Sequence, residues 1–329
     1  MENFDVYGIG NALVDMEIEV SPEFLKTMGV EKGVMTLVDE NRQVELLGQV
    51  EGKIHKKTCG GSAANTVIGA RQLGAKTFYS CKVAKDDAGD FYLNDLKNNG
   101  VVTNLESDRP EGTTGKCMVF VTPDADRTMN SYLGITETFG REEICWDKLE
   151  KSKVLYVEGY LVTSETGRSA AIECIKFARE KGVLVALTLS DPGVVGFFRD
   201  GFKEMIGEGV DLLFCNEEEA ISYTETESLE KAVESIKSVA KRFAITRGEN
   251  GALLWDGSKE IHVATQEVKA VDTNGAGDLF AGAFLYGLTS GMSFENSGKL
   301  ACACSSELVT HFGPRLPSDR TLTIFNGMF

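Results

Sequence analysis

What most constrains this chain is the alternation, repeated over most of its length, of short apolar runs with longer amphipathic stretches. Val6 to Gly10, Val154 to Glu158, Leu184 to Leu187, Leu212 to Cys215 and Phe243 to Thr246 have the length and apolar character of buried strands. Between them, Glu165 to Lys181 and Leu229 to Arg242 repeat apolar residues at three- and four-residue steps, the spacing of helices laid against a sheet. Strand and helix in turn imply βα units, and so an α/β fold: a three-layer, doubly wound and largely parallel sheet with helices on both faces. Two stretches break the rhythm, about 15–37 and about 112–132. In the second, Val119-Phe120-Val121 and Thr128 to Tyr132 flank a Pro123-Asp124-Ala125-Asp126 turn, so antiparallel strands are expected. Neither stretch can form a stable sheet alone, so the two are expected to meet as a small β-rich lid at one edge of the main layer. No repeat or Pro-rich linker marks off a second unit, and residues 1–329 are read as one domain carrying that lid.

Charge and cysteine usage narrow the partners. Fifty acidic residues against thirty-four basic ones leave a formal charge of -16, which repels nucleic-acid backbones and anionic lipid alike. An anionic small molecule is compatible with this excess only if its phosphates are met locally, by main-chain N–H groups, helix N-termini or a divalent cation. The eight cysteines are scattered through apolar stretches without any C-x-x-C pair, the pattern of reduced, buried thiols. With no basic-then-apolar leader and no apolar run of spanning length, a cytoplasmic location is expected and neither nucleic acid nor membrane is a partner.

The most specific stretch is Asp272-Thr273-Asn274-Gly275-Ala276-Gly277-Asp278, small residues running into a helix expected to reach about Tyr286. Gly275, Ala276 and Gly277 allow close main-chain approach, and their N–H groups can converge on an anion at the helix start. Asp278 falls in the first turn beside them, placed to take a proton from an alcohol while the amides stabilise a migrating phosphoryl group. An acidic residue there also complements the helix dipole, but a plain N-cap has no need of the glycine-rich turn that Asp272 and Asp278 bracket. A second glycine stretch, Gly60-Gly61-Ser62-Ala63-Ala64-Asn65, ends a strand-like run and opens a helix, where Asn65 can hydrogen-bond a polyol or simply sit in a tight connection. Asn11 and Asp15 follow the first strand at the sheet edge where open α/β sheets bind ligands. There Asp15 can accept from two adjacent hydroxyls or stay a solvated carboxylate.

Several common nucleotide signatures are absent. Gly8-x-Gly10 would need glycine or alanine where Leu13 stands, and no G-x-x-x-x-G-K-[ST] occurs. His55, His262 and His311 are too scattered to hold a metal. Asn216-Glu217-Glu218-Glu219 places carboxylates after the strand Leu212 to Cys215, suited to hydrated magnesium or to a helix N-terminus. Thr246-Arg247-Gly248 is a loop at the same edge.

Together these residues resemble the ribokinase-like (PfkB) carbohydrate kinases, whose two signatures match Gly60 to Ala75 and Asp272 to Phe284. The order of the remaining motifs, Asn216-x-x-Glu219 and Thr246-Arg247-Gly248 included, agrees over nearly the whole chain. Within the family, Gly8 to Asp15, the Asn274 variant of the second signature and Leu212 to Glu217 are most similar to adenosine kinases. The resemblance implies ATP and Mg2+, with room for a monovalent cation, and a monomer or homodimer. It implies transfer of the ATP γ-phosphoryl group to a primary hydroxyl, the 5'-hydroxyl of adenosine or a related nucleoside. A sugar kinase for ribose, fructose or a related ketose, and a nucleotide-binding regulator without catalysis, remain open beside it. By the same resemblance Asp278 is the base, Gly275 to Gly277 the anion hole, and Asn11, Asp15, Gly60, Gly61 and Asn65 the ribose contacts. Glu219 is a magnesium partner through water, and Asn216, Thr246, Gly248 and a helix starting near Gly298 frame ATP. Tyr160 stands where adenosine kinases are expected to carry phenylalanine, and Tyr132-Leu133-Gly134-Ile135 replaces a smaller apolar run, so Tyr160 and Leu133 are expected to contact a purine base or, equally, to close over a bare sugar. Lys116 and Arg127 are the basic lid residues that leave a phosphorylated sugar open.

Overall fold

The computed structural model describes residues 3–50, 52–106, 109–124 and 127–328. Along the chain the strands are β1 Phe4–Ile9, β2 Leu13–Glu19, β3 Met35–Leu37, β4 Ile54–Gly60, β5 Thr77–Ser80, β6 Val102–Thr103, β7 Thr114–Val121 and β8 Arg127–Gly134. They continue as β9 Ser152–Val157, β10 Leu184–Thr188, β11 Leu212–Asn216, β12 Phe243–Thr246, β13 Ala252–Trp255 and β14 Glu260–Val263. Among the described residues nine of them form one sheet, in the order β14-β13-β12-β11-β10-β9-β1-β5-β6. From β6 across to β12 every pairing is parallel, and the two outer strands β13 and β14 turn back antiparallel.

Alternation along these strands builds the layers. Val6, Tyr156, Ala186, Phe214 and Ala244 enter one buried cluster, roofed by helices Ser62–Gln72, Ala276–Thr289 and Phe294–Leu308. Their neighbours Tyr7, Leu155, Leu187, Leu213 and Ile245 enter the other, under helices Glu165–Lys181, Pro192–Ile206 and Leu229–Ile236. Period-2 side chains on a sheet buried on both faces give this three-layer result. The expected helix from Leu229 ends at Ile236, short of Arg242, because Ala240 is already paired with Val210 as the chain turns into β12.

The lid is a five-stranded sheet, β3-β8-β7-β2-β4. It departs from expectation in three respects. A third segment, β4, joins it along β2, since the run before Gly60 is an edge strand of the lid and not of the main sheet. The first segment interposes a helix, Pro22–Thr27, capped by Ser21 and led by Pro22 at its first position. The β7–β8 hairpin is antiparallel as expected, but it joins the first segment through parallel pairs, β2 with β7 and β3 with β8. Ala125 and Asp126 of the hairpin turn lie outside the described residues. On its outer face Val14, Met16, Ile18, Met118 and Phe120 share the first buried cluster with Val6 and Tyr156, so apolar packing runs unbroken from lid to main sheet.

Helices Ser62–Gln72 and Ala276–Thr289 touch backbone to backbone. A Cβ on Gly282 would stand 2.4 Å from the carbonyl oxygen of Thr66, and one on Gly69 2.8 Å from Leu279 Cδ1. G282A therefore forces the two apart, an overpacking cost of about 1–3 kcal/mol. We expect a lower urea midpoint at unchanged slope; an unshifted midpoint would show that the contact is not tight.

Candidate active site

Two helix starts face each other over the carboxyl edge of the main sheet. Gly61, at φ +98°, caps one, and a Cβ there would fall 2.3 Å from the carbonyl oxygen of Asn11. Gly275, at φ +74°, caps the other, wedged against Pro314 with only 2.4 Å to spare for a Cβ from the proline carbonyl oxygen. Both positions need glycine for left-handed or crowded backbone. Asp278 is the third residue of its helix, and the Ser62 hydroxyl donates to its Oδ1 at 2.6 Å while Asn65 Nδ2 donates to its Oδ2 at 3.0 Å. The other amide atom of Asn65, Oδ1, is buried without a protein partner and is free to accept from a hydroxyl. Helix geometry leaves the first-turn amides at Gly277 and Asp278 pointing into the cleft, whereas the Ala276 N–H already donates to the Thr273 carbonyl at 3.2 Å.

The N-terminal arm closes one side. A Cβ on Gly60 would lie 2.1 Å from Asp15 Oδ1, so the glycine makes room for this carboxylate on the facing lid strand. The Tyr79 hydroxyl donates to the Asn11 carbonyl, and Thr136 Oγ1 donates to Asn11 Oδ1 at 3.4 Å. Arg315 pairs with Asp95 and the Cys59 carbonyl just behind Gly60.

The lid's inner face completes the cleft. Cross-strand register lines up Asp15, Cys117, Ser131 and Leu37 in one row and Glu17, Val119, Met129 and Met35 in the next. At its outer end Arg127 pairs with Glu17 and with Asp272. Asp272 is buried and also accepts from the N–H groups of Asn274 and Gly313, so a lid residue grips the carboxylate that shapes the glycine-rich loop. Arg127 is thus committed to protein carboxylates.

The cleft is partly open and has a volume of about 820 Å3. Its wall includes Asn11, Asp15, Gly61, Asn65, Leu133, Tyr160, Asn216, Glu219, Thr246, Gly275, Ala276, Gly277 and Asp278, so sequence reasoning and folding bring these expected residues together. Gly60 stands behind Asp15, and Gly248 lies on a short turn facing open space, neither on the wall. The helix expected to start near Gly298 starts at Phe294 under a Ser293 cap; Gly298 sits inside it because Leu254 Cδ1 is 2.5 Å from where its Cβ would be. Glu219 closes a capping box with Asn216, its carboxylate accepting from the Asn216 N–H and Nδ2. Missing from the sequence reading are Ser62, Glu158, Ser190 and Asp191, all on the wall. Glu158 was visible as a carboxylate at the end of a central strand, and Ser62 as a hydroxyl inside the second glycine stretch; Ser190, held at φ 70°, had no sequence signal.

Residues 37–321 match the pfkB family carbohydrate kinase profile. The adenosine kinase of Saccharomyces cerevisiae is 27% identical over 336 residues, covering 95% of this chain and 96% of that protein. Among solved structures, a probable sugar kinase protein from Rhizobium etli CFN 42 is 36% identical with TM-score 0.91, and the adenosine kinase from Sinorhizobium meliloti is 35% identical with TM-score 0.91; each pairing covers 100% of both chains. The chain belongs to the pfkB family of carbohydrate kinases. It is a phosphotransferase with an alcohol acceptor.

In this pfkB kinase four carboxylates of the site, Asp15, Glu158, Glu219 and Asp278, are held above their ordinary titration. Burial pushes Asp278 up, and the Ser62 and Asn65 hydrogen bonds pull it part of the way back. Desolvation raises Asp15 to about 7 against the pull of Arg315, Glu158 to about 7 against the Ala63 and Asn11 amides, and Glu219 to about 7 against the Asn216 amide. Between the ordinary carboxylate range of about 4 and neutrality, the folded kinase therefore keeps protons that the unfolded chain has released. Their stabilisation is fully present at the acid end of that window and is lost as pH rises through about 7. Asp86 and Asp95, shifted downward, act at more acid pH. Thermal unfolding followed from pH 5 to 8 should show a falling midpoint that levels off above neutrality; a rising midpoint would contradict these shifts.

Proposed function

We propose that the chain is an ATP-dependent kinase that phosphorylates the 5'-hydroxyl of adenosine or a closely related nucleoside. The observation that carries the choice of acceptor is the two-sided lining of the cavity. Asn11, Asp15, Asn65 and Asp278 offer a polyol four polar side chains, while Leu13, Met35, Val119, Met129 and Leu133 offer the other end of the acceptor an apolar lid face. A bare sugar has nothing to bury there; a purine ring does, and Tyr160 lines the same cavity. The yeast and Sinorhizobium meliloti relatives, both adenosine kinases by name, support the same choice.

Asp278 takes the proton of the acceptor hydroxyl as its oxygen bonds to the γ-phosphorus, and the bond to ADP breaks. The Gly277 and Asp278 amides at the helix start stabilise charge on the moving group, with Ala276 joining them if its turn opens. Ser62 and Asn65 aim the base, and closure of the lid keeps water from competing for the phosphoryl group. Asn216 and Thr246 are placed to flank ATP. Among the described residues no group of three His, Cys, Asp or Glu is arranged to grip a metal, and Glu219 spends its oxygens on Asn216. That donor set suits a hydrated Mg2+ carried mainly by the phosphates, which would neutralise their charge in an acidic cleft. The free, mostly buried cysteines support a reducing, cytoplasmic setting, and among the described residues no helix is long and apolar enough to cross a membrane.

D278N should lower turnover by ~10² or more while ATP binding persists; near-normal turnover removes the base. A panel read by ADP release separates acceptors. Adenosine turnover without ribose or fructose turnover supports the nucleoside, the reverse assigns a sugar kinase in line with the Rhizobium etli relative's name, and ATP binding without any product assigns a regulator.

A further inference from the structure

Glu158 takes no part in the chemistry above, yet it is 1% exposed and stands where the order of the main sheet reverses, just past β9 beside β1. Its own N–H extends the β1 pairing by donating to the Ile9 carbonyl at 3.1 Å, which fixes where the side chain begins. One carboxylate oxygen accepts from the Asn11 N–H at 3.1 Å and the other from the Ala63 N–H at 2.7 Å. These amides belong to different arms of the site. Asn11 starts the stretch that leads to Asp15, and Ala63 lies between Ser62 and Asn65, the two donors to Asp278. Gly10 accommodates the arrangement: a Cβ there would fall 2.5 Å from Glu158 Oε2 and 2.7 Å from the Ala63 Cβ.

We infer that Glu158 is a positioning residue whose carboxylate staples the acceptor-binding arm to the arm that aims Asp278. The inference rests on the proposed kinase site but not on which alcohol fills it. Above about pH 7, where Glu158 is ionised, a carboxylate suits the task because it offers acceptors on both oxygens, and main-chain amides hydrogen-bonded to a charged acceptor are held more firmly than to a neutral one. Glutamine keeps the shape but replaces one acceptor with a donor, so one of the two amides must lose its partner. Aspartate keeps the charge but, a methylene shorter, reaches one arm only.

The test compares E158Q with the wild type at pH 8, where Glu158 is ionised, using whichever acceptor the wild type turns over. The Km for the acceptor should rise about tenfold or more, as for one lost charge-assisted hydrogen bond, with a smaller change in kcat and an unchanged Km for ATP. Backbone hydrogen exchange, which needs no turnover, should quicken at Asn11 or Ala63 in the variant while β12 keeps its protection. E158D should show the same split, and it carries the test if E158Q does not fold. An unchanged acceptor Km, or equal losses for acceptor and ATP, overturns the staple even if the wild type proves to be an adenosine kinase. Absence of any phosphorylated product from the wild type removes the kinase reading instead, and hydrogen exchange then decides the staple: wild-type protection at both amides in the variants overturns it.

Discussion

The site depends on one close contact, the meeting of helices Ser62–Gln72 and Ala276–Thr289 at Gly282 and Gly69. Side chains at those positions would hold the helices apart at ordinary spacing, and Ser62 and Asn65 would no longer reach Asp278. Because the helices approach so closely, both N-termini open onto one point, where two partial positive ends and the first-turn amides surround a single carboxylate. The apolar cluster beneath them, from Val67 and Leu279 to Phe280 and Phe284, makes that convergence a consequence of core packing and not of the loops alone.

A chain with a charge of -16 has to bind polyanions by local means. Among the described residues the cavity wall carries Asp15, Asp124, Glu158, Asp191, Glu219, Asp272 and Asp278, and a single arginine, Arg127, which is engaged with Glu17 and Asp272. Net attraction for phosphate therefore falls to main-chain donors, the helix ends and a divalent cation. The Arg127 pairing has a second effect: it ties the lid sheet to the loop proposed as the anion site, so the position of one bears on the shape of the other. Burial keeps several of the surrounding carboxylates raised toward neutrality, which limits their mutual repulsion while the cleft is without cations.

Much of this was legible in the sequence, for physical reasons. The buried central strands and the helix Glu165–Lys181 announce themselves by period, because a sheet covered on both faces leaves little freedom in residue choice. Gly60, Gly61 and Gly275 could be placed because left-handed or crowded backbone admits little else, whereas Gly277 faces open space and carries no such constraint. What was not legible depends on partners distant in sequence. Strand β4 looked like part of a βα unit, since nothing local says that it pairs with β2. Gly298 looked like a helix start, although its lack of a side chain answers to Leu254 across the core. Glu158 and Ser62 are visible locally, at a strand end and in a glycine stretch, but their roles are not, since these depend on amides and a carboxylate at least 95 residues away.

In the proposed reaction the helix start at Gly275 and the carboxylate of Asp278 act on the same phosphoryl group. A crystal structure with adenosine and a non-hydrolysable ATP analogue examines this directly. It should place the 5'-hydroxyl within about 3.2 Å of the Asp278 carboxylate, with the terminal phosphate on the first-turn amides. A terminal phosphate bound elsewhere in the cleft, with the hydroxyl turned away from Asp278, would contradict it.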